Sequence, residues 1–486
     1  MALVEGRMDG TAKNKGMKMM KSISFMALFF SLSCLLFGQN EADFKTRIDG
    51  QGNARTITIT GYTGTARDIT IPDTIDGIPV TTIGRSALSS KKLIRVKIPQ
   101  TVTEIEAAAF VTNELTNVEL PMNLQNIGER AFDNNKIMEL IVPNSVKTIG
   151  NQAFTQNEIL VLTLGSSLQS IGNAAFRGNK LINLVVPDSV TAIGDNAFSG
   201  NQLASVSIGN GLTAIGKNVF NTNKIEKLTL GNRINSIGDS AFSKNRISEL
   251  SLPDSVITID DNAFDENQIS KINFGSRLRT IGGHAFSNNS LVEIVIPDSV
   301  VSIKMYAFAR NKLTSVSIGN GVIDIGNNAF EAFTSGREYT GNFITKLTLG
   351  NAVKTIGTEA FARNRLTSCV IPDSVVAIGT GAFRNNLLET VIIGKSVSTI
   401  AMNAFVENKL EELVFPASLI ELSQVAVREN PLKSIVLPAN VKITGNKIGS
   451  SDPEKKALDD FFSSYSSDGK AGRYSFNAGR WVWVSE

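Results

Sequence analysis

The chain repeats one pattern of apolar and polar positions every 22 residues. In residues 179–198, an L-x-x-L-x-L segment is followed by Pro187, a Ser-Val pair, an Ile-Gly pair and an Ala-Phe pair. A fixed short period is typical of a solenoid, in which one small unit stacks many times and no unit buries its apolar face alone. The marker phenylalanines are Phe110, Phe132, Phe154, Phe176, Phe198, Phe220, Phe242, Phe264, Phe286, Phe308 and Phe330, followed after one insertion by Phe361, Phe383 and Phe405.

Each copy predicts two short extended pieces joined by turns. The alternating, β-branched end of the L-x-x-L-x-L segment predicts a strand. Pro187 ends it because proline cannot donate to a ladder. Gly165 or Gly209 stands there in other copies, which indicates that the position needs a strand breaker rather than one particular residue. Residues 189–193 predict a second extended piece, and the Ala-Phe pair predicts a short helical or irregular turn.

Two inward columns are predicted to hold the layers together. The periodic phenylalanine fills each layer, and an asparagine follows it three residues later. A buried turn leaves backbone N–H and C=O groups without strand partners, and an amide side chain can both donate and accept there. The predicted structural ladder includes Asn179, Asn201, Asn223, Phe176, Phe198 and Phe220.

The sequence of the N-terminus predicts a targeting segment. Residues 1–38 form an extension and signal peptide, with Met17 as the expected start. Two lysines precede the apolar run 23–37, and cleavage is expected after Gly38. Lipidation of Cys34 is the alternative left open. Cleavage after Gly38 and lipidation of Cys34 both predict an exported protein.

The remaining sequence divides into three parts. Residues 39–92 predict an N-terminal β cap, and residues 93–446 predict the solenoid, with an insertion at 331–341. Residues 447–486 predict a C-terminal cap made of a helix and a β-hairpin. The hairpin holds both tryptophans, whose alternative use is a cell-wall or carbohydrate contact.

Composition argues against several classes of function. The net charge is +3 with both signs interspersed, so there is no basic stripe for nucleic acid. The single histidine, His284, occupies a variable surface slot, and no Cys/His cluster with metal-ligand spacing exists. Cys369 stands at an inward apolar position and is interpreted as a small buried hydrophobe. We therefore expect no enzyme activity, no metal and no cofactor.

Outward residues of the first strand carry the candidate chemistry. Lys227, Glu249, Lys271 and Glu293 alternate in sign over four adjacent layers, which predicts a mutually compensating row of ion pairs.

Four apolar side chains are predicted to point outward on successive layers, whereas the equivalent slots near the middle of the chain hold Ser251, Asn273, Ser317 and Thr348. An apolar row on a solvated face indicates a partner-binding patch. The alternatives are that β-branched residues suit strands, or that the C-terminal tail packs there. The row consists of Val370, Ile392, Val414 and Val436.

The insertion supplies a second partner-binding hypothesis. Insertions in solenoids often form binding loops, and Phe333, Arg337 and Tyr339 are residue types that anchor interfaces. A tolerated surface loop is the alternative.

The full pattern, L-x-x-L-x-L-P-x-S-V-x-x-I-G-x-x-A-F-x-x-N, resembles the BspA-like subclass of leucine-rich repeats. About sixteen copies run from Leu93 to about Leu437. The family often has Cys where this chain has Asn. The resemblance implies an α/β, β-rich solenoid: a curved leucine-rich repeat superhelix with a parallel sheet along its concave face.

The resemblance also implies a function. We expect a monomeric, exported bacterial protein, at the cell surface, associated with the outer membrane or secreted, with the periplasm as an alternative location. Its expected partners are proteins or glycans on host cells, extracellular matrix or other bacteria, bound through the concave face. A structural or envelope-organising spacer without a dedicated ligand is the alternative.

Overall fold

The structure is a computed structural model, and it describes residues 40–335, 338–445 and 452–484. The expectations for the signal peptide, the start at Met17, cleavage after Gly38 and lipidation of Cys34 lie outside the described residues.

The chain folds as a parallel β-solenoid of about 17 turns, which confirms the predicted fold class. Each turn contributes two short strands, called here the first and the second strand of the turn. The first strands are Asp68–Thr70, Arg95–Lys97, Asn117–Glu119, Glu139–Ile141, Val161–Thr163, Asn183–Val186, Ser205–Ile208, Lys227–Thr229, Glu249–Ser251, Lys271–Asn273, Glu293–Ile296, Ser315–Ile318, Lys346–Thr348, Ser368–Val370, Thr390–Ile392, Glu412–Val414 and Ser434–Leu437.

The second strands are mostly two residues long and hold the inward Ile of the Ile-Gly pair. They are Ile78–Ile83, Glu104–Ile105, Asn126–Ile127, Thr148–Ile149, Ser170–Ile171, Ala192–Ile193, Ala214–Ile215, Ser236–Ile237, Thr258–Ile259, Thr280–Ile281, Ser302–Ile303, Asp324–Ile325, Thr355–Ile356, Ala377–Ile378, Thr399–Ile400, Glu421–Ser423 and Lys442–Thr444. The Ala-Phe segments are turns, and within the described residues the only α-helix is in the C-terminal cap.

The N-terminal end begins with two 3-10 turns, Glu41–Asp43 and Gly52–Ala54. Strands Phe44–Asp49 and Thr56–Tyr62 pair antiparallel, and the latter joins the second strand of the first turn. A short strand, Thr74–Ile75, completes this end by pairing antiparallel with that same second strand. The first turn of the solenoid thus starts within the segment interpreted as an N-terminal cap.

The two ladders differ in continuity. The second strands lie in only two long sheets, of 9 strands (with the N-terminal strands) and 11 strands. The first strands lie in shorter sheets of two to four strands. Each of the six breaks between these sheets comes directly before a turn whose first strand ends in Pro, although some Pro turns remain paired.

Glycine at the same position explains the close pairing. A Cβ on Gly165 would lie 2.3 Å from the carbonyl oxygen of Pro143 in the preceding turn, and one on Gly394 would lie 2.1 Å from that of Pro372. These Gly turns therefore approach the turn before them closely. The first strands end next to this position whether it holds Pro or Gly, as the sequence predicts, and Gly in addition permits the close contact.

Phenylalanine rings form one continuous column through the interior. Rings of successive turns stack with centroids 4.9–5.7 Å apart and planes within 13° of parallel, from Phe110 to Phe405. All of them are fully buried. Such offset stacking adds to the burial of apolar area that each ring already provides.

A column of asparagines runs beside the rings. Asn201 donates through Nδ2 to the carbonyl oxygens of Phe176 (2.9 Å) and Phe198 (3.0 Å), and its Oδ1 accepts from the N–H of Leu181 (3.1 Å). Each asparagine thus joins its own turn to the preceding one. The same arrangement recurs along the solenoid, for example at Asn179 and Asn223.

The C-terminal cap covers the open end. Helix α1, Pro453–Asp468, begins at Asp452, whose Oδ1 accepts from the N–H groups of Glu454 and Lys455. Its buried face packs on the last turns, and its buried Asp459 pairs with Arg428. A hairpin follows, with strands Gly472–Asn477 and Arg480–Val484. It pairs antiparallel with Ser434–Leu437, the first strand of the last turn.

Candidate functional site

The outward residues of the first strands form one surface, called here the first-strand face. In the turn containing Glu139–Ile141, Ile137, Leu140 and Val142 point inward and are buried. Three slots per turn, represented there by Met138, Glu139 and Ile141, remain exposed. The surface is therefore a grid of three slots repeated along the coil.

Three successive turns near the N-terminal end present an apolar area that the sequence analysis missed. Six large apolar side chains there are 40–67% exposed. Large exposed apolar patches mark interaction sites in soluble proteins. This N-proximal patch consists of Met138, Ile141, Leu160, Val161, Ile182 and Val185.

A groove of about 420 Å³ crosses the N-proximal patch. Leu160 and Val161 line it from one turn, and Ile182, Val185 and Pro187 line it from the next. It coincides with a break between the short sheets, immediately before a Pro turn. The break that precedes the turn of Pro187 is thus the place where this groove with apolar walls lies.

The predicted row near the C-terminus is exposed on three of its four turns. Val370, Ile392 and Val414 are 51–64% exposed. Val436 also points outward, between the buried Ile435 and Leu437, but it is half-buried because the hairpin strand pairs beside it at Arg473. The burial pattern thus agrees with four outward side chains, and the alternative that the C-terminal tail packs there applies to Val436. The three exposed residues, Val370, Ile392 and Val414, are called the C-terminal row below.

The turns between these two areas are polar and charged, except the turn of Glu293–Ile296, where Val292 is 46% and Val295 71% exposed. Val295 stands between Asn273 and Ser317 in the slot for which the sequence indicated polar residues. Ile141 and Val185 occupy the same slot in the N-proximal patch. The contrast drawn from the sequence between an apolar end and a polar middle therefore holds only in part.

The predicted row of ion pairs is wrong in its detail. Glu249 and Lys271 face each other in register on adjacent strands. Within the described residues, however, no ion pair of 4.0 Å or less joins any of Lys227, Glu249, Lys271 and Glu293. Ion pairs between turns form at other slots, as between Lys180 and Glu158 (2.9 Å).

The insertion forms a small antiparallel hairpin, Ala332–Ser335 and Glu338–Gly341. Phe333 and Tyr339 belong to its two strands, whereas Arg337 lies outside the described residues. At the base of the hairpin Glu331 contacts Arg363, which also binds Glu359 at 3.0 Å. Burial raises the pKa of Glu331 above its ordinary value despite these partners.

The solenoid carries little reactive chemistry. His284 is half-buried and stacks on the ring of Tyr306 with centroids 4.7 Å apart. Cys369 is buried in its strand, and burial raises the pKa of its thiol to about 12, which suppresses the reactive thiolate. No group of three or more His, Cys, Asp or Glu side chains in the part of the chain that the structure describes could hold a metal ion.

Two sequence signals could have found the missed residues. Aligning all copies by their outward slots shows Met138, Leu160 and Ile182 in one column of three consecutive turns. Pro187 ends the strand of the turn that follows the Gly165 turn, which marks the break. Neither signal is visible in a single copy.

The fold and this surface define the class as a leucine-rich repeat protein. The pattern described as BspA type leucine rich repeat region matches residues 53–161, 81–204, 157–270, 235–338 and 334–451. The chain belongs to this family. Leucine-rich repeat families generally lack enzyme activity and bind other proteins.

Several solved structures are similar to the chain. A leucine-rich repeat protein from Bacteroides ovatus is 20% identical, with a TM-score of 0.47, over 85% of this chain and 100% of that chain. The pneumococcal vaccine antigen PcpA is 18% identical, with a TM-score of 0.38, over 84% and 93%. A leucine rich cell surface protein from Faecalibacterium prausnitzii is 18% identical, with a TM-score of 0.33, over 85% and 96%.

No curated protein matches the chain significantly. Among the described residues, no helix has both the length and the apolar character needed to cross a membrane.

Proposed function

We propose that this protein is exported to a bacterial surface, where its first-strand face binds macromolecules of a host or of other bacteria. The observation that carries the proposal is the exposure of two apolar areas, the N-proximal patch and the C-terminal row, on one face. Membership of a protein-binding repeat family supports it. Adhesion to host matrix or epithelium, or coaggregation, would be the biological result.

The geometry suits binding at two separate points. Ten turns separate Val161 from Ile392, which corresponds to about 48 Å at the usual spacing of strands. Apolar anchors surrounded by polar residues resemble the anatomy of protein interfaces. A preformed sheet also lowers the ordering cost of binding, and two linked contacts raise the overall avidity.

The test is binding of the full chain to immobilised matrix proteins (fibronectin, laminin and collagen) and to whole bacteria. The variant Val370→Ser/Ile392→Ser/Val414→Ser should lose most of the binding. Val436 is left unchanged because the hairpin pairs over it. Unaltered binding by this variant, and by a second variant that replaces Ile141, Val161 and Val185 with serine, would refute the role of the face.

A matched control removes the same number of exposed apolar side chains from another side of the coil. Ile323, Val376 and Ile420 directly precede second strands and are 40–66% exposed. Their replacement by serine should leave binding unchanged. A loss of equal size in this control would indicate a general loss of solubility or order.

An envelope-organising spacer is the second candidate, and the long second ladder, which is interrupted only once, favours it. In that case the serine variants of the first-strand face should leave both partner binding and envelope integrity unaffected. Deletion of the protein should then weaken the envelope, as measured by sensitivity to detergent.

A further inference from the structure

A cleft of about 530 Å³ lies where the C-terminal cap meets the last turns of the solenoid, next to the turn that carries Val414. One side is made by the turn after Val427 and includes Glu429 and Lys433. The other is made by the start of helix α1, with Lys455, and by the hairpin, with Trp481. Its volume falls within the range of about 300–1,000 Å³ usual for small-molecule sites.

The lining combines an aromatic surface with polar groups held in place. Trp481 is half-buried and packs against Phe461 and Phe476, with ring centroids 5.3 Å and 5.5 Å away. Glu429 is held by Lys455 at 2.7 Å. A rigid indole beside a fixed ion pair offers an apolar surface next to both a donor and an acceptor.

The charge of the lining restricts the ligand. Three cations (Arg428, Lys433 and Lys455) and three carboxylates (Glu429, Asp452 and Glu454) balance to zero. A phosphate or another strong anion finds no excess of positive charge there, and a purely apolar ligand would remove these charged groups from water without offering them hydrogen bonds.

We propose that this cleft binds a neutral saccharide. A pyranose ring has an apolar C–H face, which suits Trp481, and a rim of hydroxyls. Hydroxyls both donate and accept, so they can bind Glu429 and Lys455 at once. This site adjoins the end of the first-strand face through Lys433, but it includes neither the N-proximal patch nor the C-terminal row, and it goes beyond the proposed function.

The two tryptophans have different surroundings, which makes a direct assay possible. The ammonium group of Lys470 lies 3.3 Å from the ring centroid of Trp483 and covers that ring, and Trp483 does not line the cleft. The chain has only two tryptophans. In the full-length Trp483→Phe variant, the emission comes from Trp481 alone. Trp481 also lines a second pocket beside Arg480, so the Glu429 and Lys455 variants are needed to assign a change in emission to the cleft.

The experiment titrates that variant with maltotriose, cellotriose, mannotriose and chitotriose, and with trigalacturonate and inorganic phosphate as anionic probes. At least one neutral trisaccharide should change the Trp481 emission saturably. Adding Glu429→Gln or Lys455→Met should weaken its binding about tenfold, the usual loss for a hydrogen bond to a charged group. Calorimetry on the unaltered full chain checks the affinity independently.

Three results would overturn the proposal. These are no response to any neutral trisaccharide, an affinity unchanged by both cleft variants, or tighter binding of an anionic probe. Trp481→Ala should abolish binding, but this change also removes packing from the cap. Glu429→Gln, which keeps shape and lies on the surface, decides the matter if the alanine variant does not fold.

Discussion

The buried columns and the first-strand face belong to the same turns but obey different rules. Inside, a phenylalanine ring and an asparagine recur with nearly constant geometry from turn to turn. Outside, the same slot holds Ile141, Thr229 or Glu119. Stability is thus specified by repetition and recognition by variation, and substitutions in the two regions should have separable effects.

Removing one ring from the column should have the largest effect. Phe220 is fully buried between Phe198 and Phe242. Phe220→Ala should lower the free energy of unfolding by about 3–5 kcal/mol, the cost of a large core cavity. Urea denaturation followed by circular dichroism measures it. Phe343→Ala is the control, since this ring is only partly buried beneath Arg365, and an equal loss there would contradict the comparison.

Removing one amide from the second column should rank next. Asn223→Ala deletes bonds to the carbonyls of Phe198 and Phe220 and leaves the buried N–H of Leu203 without its acceptor. The expected loss is about 2–4 kcal/mol, because unsatisfied buried groups are costly. Hydrogen exchange should show faster exchange at Leu203. The exposed Asn235→Ala should change neither quantity.

Changes on the first-strand face should barely affect stability. Replacing Ile141, Val161 and Val185 by serine should cost less than about 0.5 kcal/mol each, since these side chains are exposed. The same variant should bind less of an apolar fluorescent dye, because the groove loses its walls. A loss of stability as large as that of Phe220→Ala would show that this face is part of the core.

Replacing a partly buried carboxylate, Asp265, should have the smallest effect on the free energy of unfolding, and this effect should depend on pH. Burial raises the pKa of Asp265, although a hydrogen bond from Asn288 opposes the shift. A raised pKa means that the ionised form is disfavoured in the folded state, so stability falls as pH rises through the folded pKa. Asp265→Asn should therefore stabilise the protein slightly at pH 7, by no more than about 0.5 kcal/mol, and by less near pH 4.

The carboxyl of Asp254 should contribute to stability with the opposite dependence on pH. The backbone N–H of Ser276 holds the pKa of this exposed carboxyl below its ordinary value. Its stabilising effect is present above the unfolded pKa and is lost on acidification. Asp254→Asn should destabilise slightly at pH 7 and not at low pH. Thermal denaturation across pH compares both variants, and identical pH profiles would contradict the assignment.

The fold could be predicted because its cause is local and repeated. Phe198 and Asn201 recur at one spacing, and a buried ring and a buried amide each have few structural uses. The difference between Pro187 and Gly165 could not be derived from one copy, since it depends on how closely the preceding turn approaches. The repeated pattern therefore predicts the buried residues, but it does not predict the contacts between a Pro turn and a Gly turn.

The candidate surface could be predicted only in outline. Val370, Ile392 and Val414 stand in one slot and are visible as a row. The N-proximal patch is spread over three slots, so the column of Met138, Leu160 and Ile182 shows only half of it. The partial burial of Val436 matches the alternative that the C-terminal tail packs there, but the antiparallel register with Arg473 is not encoded in a periodic pattern.

The unequal ladders have a mechanical consequence. The ladder of second strands is interrupted once, whereas the ladder of first strands is interrupted at six places, each before a proline turn. Single backbone hydrogen bonds still cross these breaks, as from the N–H of Lys180 to the carbonyl oxygen of Ile159 at 3.0 Å. The first strands thus form short paired groups that are separated by weaker contacts. Bending should concentrate at the six breaks, which would let the first-strand face adjust its curvature to a partner while the phenylalanine rings inside stay stacked.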